Sequence, residues 1–149
     1  MYSQMKNGTD DDASKSKDQK SQKFIMAEIS KLSKKQREHC REGFKIMAKE
    51  RHTGKEIFIR LFQEYPEYKG IFNKFRHLTD SAIMYTGEIA THGDIYMASL
   101  SELIDALDDD KLMADKIRKI AYSHQQNRVQ RHHVMVSSGI KPEIKYWWS

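Results

Sequence analysis

Apolar residues recur every three or four positions along most of this chain, and nowhere do they alternate in a strand's two-residue rhythm for more than a few residues. That pattern restricts the fold to packed helices. Ile29, Leu32, Cys40, Phe44 and Met47 make one stripe, and Ile57, Phe58, Leu61, Phe62 and Tyr65 a second. Ile89, Tyr96, Leu100, Leu103 and Leu107 make a third, on a long helix expected over 81–107. Met113, Ile117 and Ile120 make a fourth, on a helix expected over 111–125. With only 2 Pro and 7 Gly, little interrupts such helices. Pro66 either stops the second helix or begins a short one carrying Tyr68, Ile71, Phe72 and Phe75, because it cannot donate a backbone hydrogen bond. Ser33 with Gln36, and Thr53 with Glu56, read as capping boxes. Asp108, Asp109 and Asp110 favour a helix start, where negative charge suits the helix dipole. The expectation is an all-α fold of five or six helices, without internal repeats.

A length of 149 residues fits one domain. Residues 1–24 are polar and carry almost no apolar payload, so a disordered tail is expected there and a folded domain over 25–149. That tail lacks the apolar stretch of a secretory signal, and no run of 18 apolar residues suggests a membrane span. The single cysteine, Cys40, rules out an internal disulfide and fits a reducing, cytoplasmic setting. Net charge is +5 but diffuse. Even the basic stretch RKIAYSHQQNRVQRHH has no interleaved docking motif, so nucleic acid is not expected as a partner. Near the end, Ser137, Ser138 and Gly139 suggest a turn, and Tyr146, Trp147 and Trp148 follow it.

Two histidines stand on apolar stripes. His92 lies three residues after Ile89 and four before Tyr96. His124 lies four after Ile120 and seven after Ile117. Neutral imidazole is a good ligand for iron, and two such residues on separate helices could bracket a flat cofactor. A lone histidine on an apolar stripe is, however, more often a hydrogen-bonded core residue than a ligand. Phe58 and Tyr96 read equally well as plain core aromatics.

The stretch from about residue 30 to 134 resembles the animal globins, in the style of invertebrate (nematode included) and neuroglobin-like members. LSKKQREHCREGFKIM resembles their A helix, with Phe44 where many members carry Trp. TGKEIFIRLFQEYPEYKGIFNKF resembles the B and C helices and the corner after them. Within it Gly54 matches the small residue where the B and E helices cross closely, Pro66 the C-helix proline, and Phe72 the phenylalanine that stacks on haem. HGDIYMASLSELIDALDD resembles the E helix, which makes His92 the distal residue. IRKIAYSHQQNRVQRHH resembles the F helix and the turn after it, which makes His124 the proximal ligand.

The resemblance implies a globin-like fold around haem b, with His124 on the iron and His92 opposite it as a second ligand or as a neighbour of bound gas. It also implies Phe58 and Tyr96 crowding the distal side, Phe72 and Phe75 beside the haem, Ile120 under its proximal face and Val129 at its edge. The activity implied is reversible binding of oxygen or another diatomic gas, for transport, sensing or electron transfer, rather than enzymatic turnover. Two features depart from the pattern. His132 and His133 rival His124, with His133 proximal under a different alignment. The chain is also expected to stop where most of the G helix and all of the H helix would stand, leaving one side of the pocket to a partner or a second copy. A globin-like helical interaction module without haem is therefore the alternative.

Overall fold

The computed structural model describes residues 9–130 together with 133 and 134. His132, the turn expected at 137–139 and the aromatic end lie outside the described residues. Among those described, the regular elements are helices alone: α1 (Thr9–Ser30), α2 (Lys34–Met47), α3 (Thr53–Glu64), a 3-10 turn (Pro66–Ile71), α4 (Asp80–Tyr85), α5 (Gly87–Asp105) and α6 (Asp110–Gln126).

The first of these corrects the expected tail. Residues from Thr9 onward are helical rather than disordered. No Pro or Gly interrupts the chain between Gly8 and Gly43, so the helix has no local breaker. Its contribution to the core is small: Ile29 is buried, while positions 15–21 lie exposed. What fixes it is polar. Gln22 donates to Asp115 on α6 at 2.7 Å, and Arg118 of α6 pairs with Asp18 at 2.9 Å. A helix tied by side-chain polar contacts leaves no apolar stripe to read.

The α2 helix begins as its capping box requires. Gln36 N–H donates to Ser33 Oγ at 3.2 Å, and Ser33 N–H donates to Gln36 Oε1 at 2.8 Å. Cys40, expected on the apolar stripe, is exposed. The half-buried Phe44 and Met47 face inward. Arg37 reaches back from α2 into a ring of acceptors. Its guanidinium donates to the carbonyls of Leu32 and Ile29, at 3.2 and 3.0 Å, and to the Leu107 carbonyl, and it pairs with Asp110 at 2.9 Å. With 12 % of its side chain exposed, this one planar fork joins the end of α1, the start of α2 and the corner between α5 and α6.

Thr53 does not form the second expected capping box. Its hydroxyl donates instead to the carbonyls of Met47 and Glu50, at 2.7 and 3.0 Å, so α3 starts without a side-chain cap. Pro66 opens the 3-10 turn, where its missing N–H costs nothing. The expected long helix over 81–107 divides at Thr86, whose backbone is extended and whose hydroxyl donates to the Ile83 carbonyl at 3.1 Å. Asp109 caps α6 by accepting from Leu112 N–H at 2.9 Å, as the acidic cluster suggested.

The core lies where α3, the 3-10 turn, the following loop, α4 and α5 meet. Phe58, Ile59, Leu61, Phe62, Tyr68, Phe75, Ile83 and Ile89 form it, with Phe72 and Tyr96 packed against its side. The α6 helix stands apart from this cluster. It packs chiefly on α1, and its one buried residue is Ala114.

Candidate functional site

The site is set by the crossing of α3 and α5. Gly54 and Gly93 meet backbone to backbone. A Cβ built on Gly54 would lie 2.2 Å from the Gly93 carbonyl oxygen, and one on Gly93 would lie 2.5 Å from Lys55 N. Only two glycines permit that approach. His92 immediately precedes Gly93, and Phe58 follows Gly54 by one helical turn, so the close crossing drives these two rings together. Their centroids are 4.6 Å apart, edge to face. Phe72 and Phe75 approach the same imidazole edge-on, at 5.1 and 6.4 Å. Tyr96, one turn further along α5, closes on Phe58 at 5.5 Å.

His92 is half-buried in this aromatic cage and has no hydrogen-bond partner among the described residues. Burial, first, and then the nearby charges of His124 and Lys74 lower its pKa below the ordinary 6.5, which keeps the ring neutral and its lone pair available. Because the native pKa is the lower one, the stability His92 contributes is present in full above pH 6.5. It is lost as the pH falls from there through the lowered native value. His92→Phe, which keeps a neutral ring in the cage, is expected to flatten that acid limb of the stability profile, measured by urea unfolding between about pH 7.5 and 5. Burial raises the Tyr96 phenol pKa, so that hydroxyl stays protonated.

On α6 the stripe of Met113, Ile117 and Ile120 is half-buried, but His124 at its end is exposed rather than core-facing. Its ring orientation is nonetheless fixed. Nδ1 lies 2.8 Å from the Ile120 carbonyl oxygen. A carbonyl only accepts, so Nδ1 donates, and in the neutral form of the ring Nε2 carries the lone pair. The main chain is fixed at the same residue. Val129 N–H donates to the His124 carbonyl at 3.0 Å and Arg128 N–H to that of Gln125 at 3.0 Å, around Arg128 in the left-handed region at φ 58°. This is a Schellman closure, for which glycine would have been the usual signal. Arg128 gave none, so the sequence did not reveal it. Val129 sits half-buried just beyond.

His133 is held elsewhere. Its Nδ1 accepts from Gln130 N–H at 3.0 Å, and its ring meets Tyr68 edge-on at 4.9 Å. With Nδ1 accepting, the neutral ring carries its proton on Nε2, the reverse of His124.

No group of three or more His, Cys, Asp or Glu among the described residues could hold a bare metal ion. A planar group that supplies four of its own ligands asks only one or two imidazoles of the protein. That donor set is present here, with one ring's Nδ1 already tied to a backbone carbonyl. The residues fit haem in this chemical sense. No helix among the described residues is long and apolar enough to cross a membrane.

An all-helical fold that sets one imidazole, His92, in a phenylalanine cage and orients a second, His124, on the next helix defines a candidate haem-protein scaffold. The globin family model matches residues 55–140, more than half of the chain, and the protein belongs to the globin family. It is similar to a globin of Nerita albicilla, 28 % identical over 72 residues, covering 48 % of this chain and 46 % of that one. It is similar also to cytoglobin-1 of Oryzias latipes, 22 % identical over 94 residues (62 % and 53 % of the two chains), and to a globin of Busycotypus canaliculatus, 28 % over 93 residues (60 % and 63 %). The chain thus spans between 46 % and 63 % of the length of these relatives. No solved structure matches it. Globins normally bind haem and are mainly oxygen-binding proteins rather than enzymes.

Proposed function

We propose that this chain is a non-enzymatic, cytoplasmic haem globin in which His124 is the axial iron ligand and His92 faces the opposite side of the haem. The observation that carries this reading is the His124 ring, tied at Nδ1 to the Ile120 carbonyl with Nε2 left open, within electrostatic reach of a neutral His92. When bound, haem supplies an iron centre that takes a diatomic gas such as oxygen reversibly. The protein's own residues do the rest. The Nδ1 hydrogen bond orients the His124 ring and raises its basicity. Phe72 and Phe75 offer apolar faces to the macrocycle, Phe58 and Tyr96 narrow the distal side and exclude water, and Ile120 and Val129 line the proximal side. His92 serves either as a second ligand or as a hydrogen-bonding neighbour of the gas.

Titration of the purified protein with haemin tests this. A Soret band should develop at one equivalent. His124→Ala should weaken haemin binding by about 100-fold or more, since even the partners of a metal ligand are worth 10- to 100-fold. His133→Ala should leave it intact; loss with His133→Ala and not with His124→Ala overturns the assignment. In the ferrous protein without gas, sharply split visible bands mean that His92 is the sixth ligand, and a single broad band means that it is not. The cage packed around His92 favours one other reading, a haem-free helical interaction module. A wild-type protein without a Soret band would establish it.

A further inference from the structure

The α6 helix carries His124 yet takes little of its support from the α3–α5 core. It runs antiparallel to α1. The Arg37 fork ties the end of α1 to the start of α6, Gln22 meets Asp115 one and a half turns on, and Asp18 meets Arg118 beyond that. Arg118 also lies 3.7 Å from Asp115, so Asp18, Gln22, Asp115 and Arg118 form one network across the helix pair. Ala114 is the one fully buried residue of α6. From this layout we infer that α1 is a strap that positions His124, with Arg118 as a positioning residue and the Asp18–Arg118 pair as its outermost fastening among the described residues. The functional consequence rests on the haem reading of His124. The fastening itself does not.

A register continued past Asp18 carries the first turns of α1 alongside the turn of α6 that bears His124. Arg118 is only 26 % exposed, against 68 % for Asp18, so the pair is anchored on the α6 side and open to solvent on the other. Releasing it frees the last third of α6, while Lys116 of α6 still pairs with Glu102 of α5 at 2.8 Å, short of Arg118, and the α3–α5 crossing stays intact.

Charge exchange in the full-length chain tests the strap. Asp18→Arg and Arg118→Asp each replace attraction with repulsion, and the double variant restores attraction with the signs reversed. The first readout is amide hydrogen exchange of the haem-free protein. Each single variant should exchange about tenfold faster over residues 117–126, with amides of α3 and α5 unchanged, and the double variant should return to the wild-type rate. The second readout is the visible spectrum after haemin addition, which should change in the singles and recover in the double. Asp18→Asn removes the charge without reversing it and should give the same pattern at smaller amplitude, which covers the case of a reversal that prevents folding. Unchanged exchange over 117–126, or a double variant that fails to recover, overturns the strap. Faster exchange with an unaltered spectrum means that α1 holds the helix but does not position His124, and also overturns the inference. Absence of a Soret band in the wild type defeats the haem reading alone, and the strap is then judged on exchange.

Discussion

Gly54→Ala is expected to destabilise the protein by about 3 kcal/mol or more, the upper end of what overpacking a core costs. The added methyl would lie 2.2 Å from a backbone oxygen and 2.6 Å from a backbone carbon of Gly93. No side chain stands there to rotate away, so α3 and α5 must separate as units. Separation pulls Phe58 from His92 and weakens the whole aromatic cluster, which is why the effect exceeds that of one methyl group. Against an overall stability of about 5–15 kcal/mol, such a loss leaves a marginal fold. Urea denaturation with helical circular dichroism as the signal measures it, and Gly43→Ala is the control. A Cβ at Gly43 meets nothing within 4 Å, so that change should gain up to about 1 kcal/mol from helix propensity alone. Equal midpoints for the two variants would refute the backbone contact.

Phe75→Ala is expected to cost about 3–5 kcal/mol, the range for emptying a core site of a phenyl ring. Phe75 is 2 % exposed and contacts Phe62, Phe72 and His92 through ring edges and faces. Its removal also opens one wall of the cage. Water then reaches His92, the burial that lowers its pKa weakens, and the imidazole titrates closer to the ordinary 6.5. The two consequences are separable. Unfolding gives the first, and the His92 ring proton shifts followed by NMR through a pH series give the second. A variant that loses stability while His92 titrates as before would show that Phe75 supports the core without shielding the histidine.

The sequence carried the parts of this protein that depend on side chains entering a core. The α3 stripe, the cluster around Phe72 and Phe75 and the position of His92 follow from apolar spacing, and the Ser33–Gln36 cap and the α6 start follow from polar residues at fixed offsets. It failed where local polar chemistry decides between alternatives. Thr53 can cap its own helix or donate to the carbonyls of the helix before, and the two look alike in a string of letters. Thr86 can continue a helix or end one. The α1 helix is tied by charges and amides spaced to match α6, which composition counts as disorder. At the site, the exposure of His124 and the Schellman closure at Arg128 depend on backbone geometry that no residue type announced.

Beyond Arg118, its last polar tie to α1 among the described residues, α6 is a cantilever. His124 stands six residues out, an arm of about 9 Å at the rise of an α-helix. A tilt of about 10° at the fulcrum would swing the imidazole by about 1.6 Å, whereas metal–nitrogen distances in defined sites hold to about 0.2 Å. The position of His124 relative to the α3–α5 core is thus geared to the angle at which a polar helix lies on its neighbour, and a small change of lean there is enlarged where the imidazole stands.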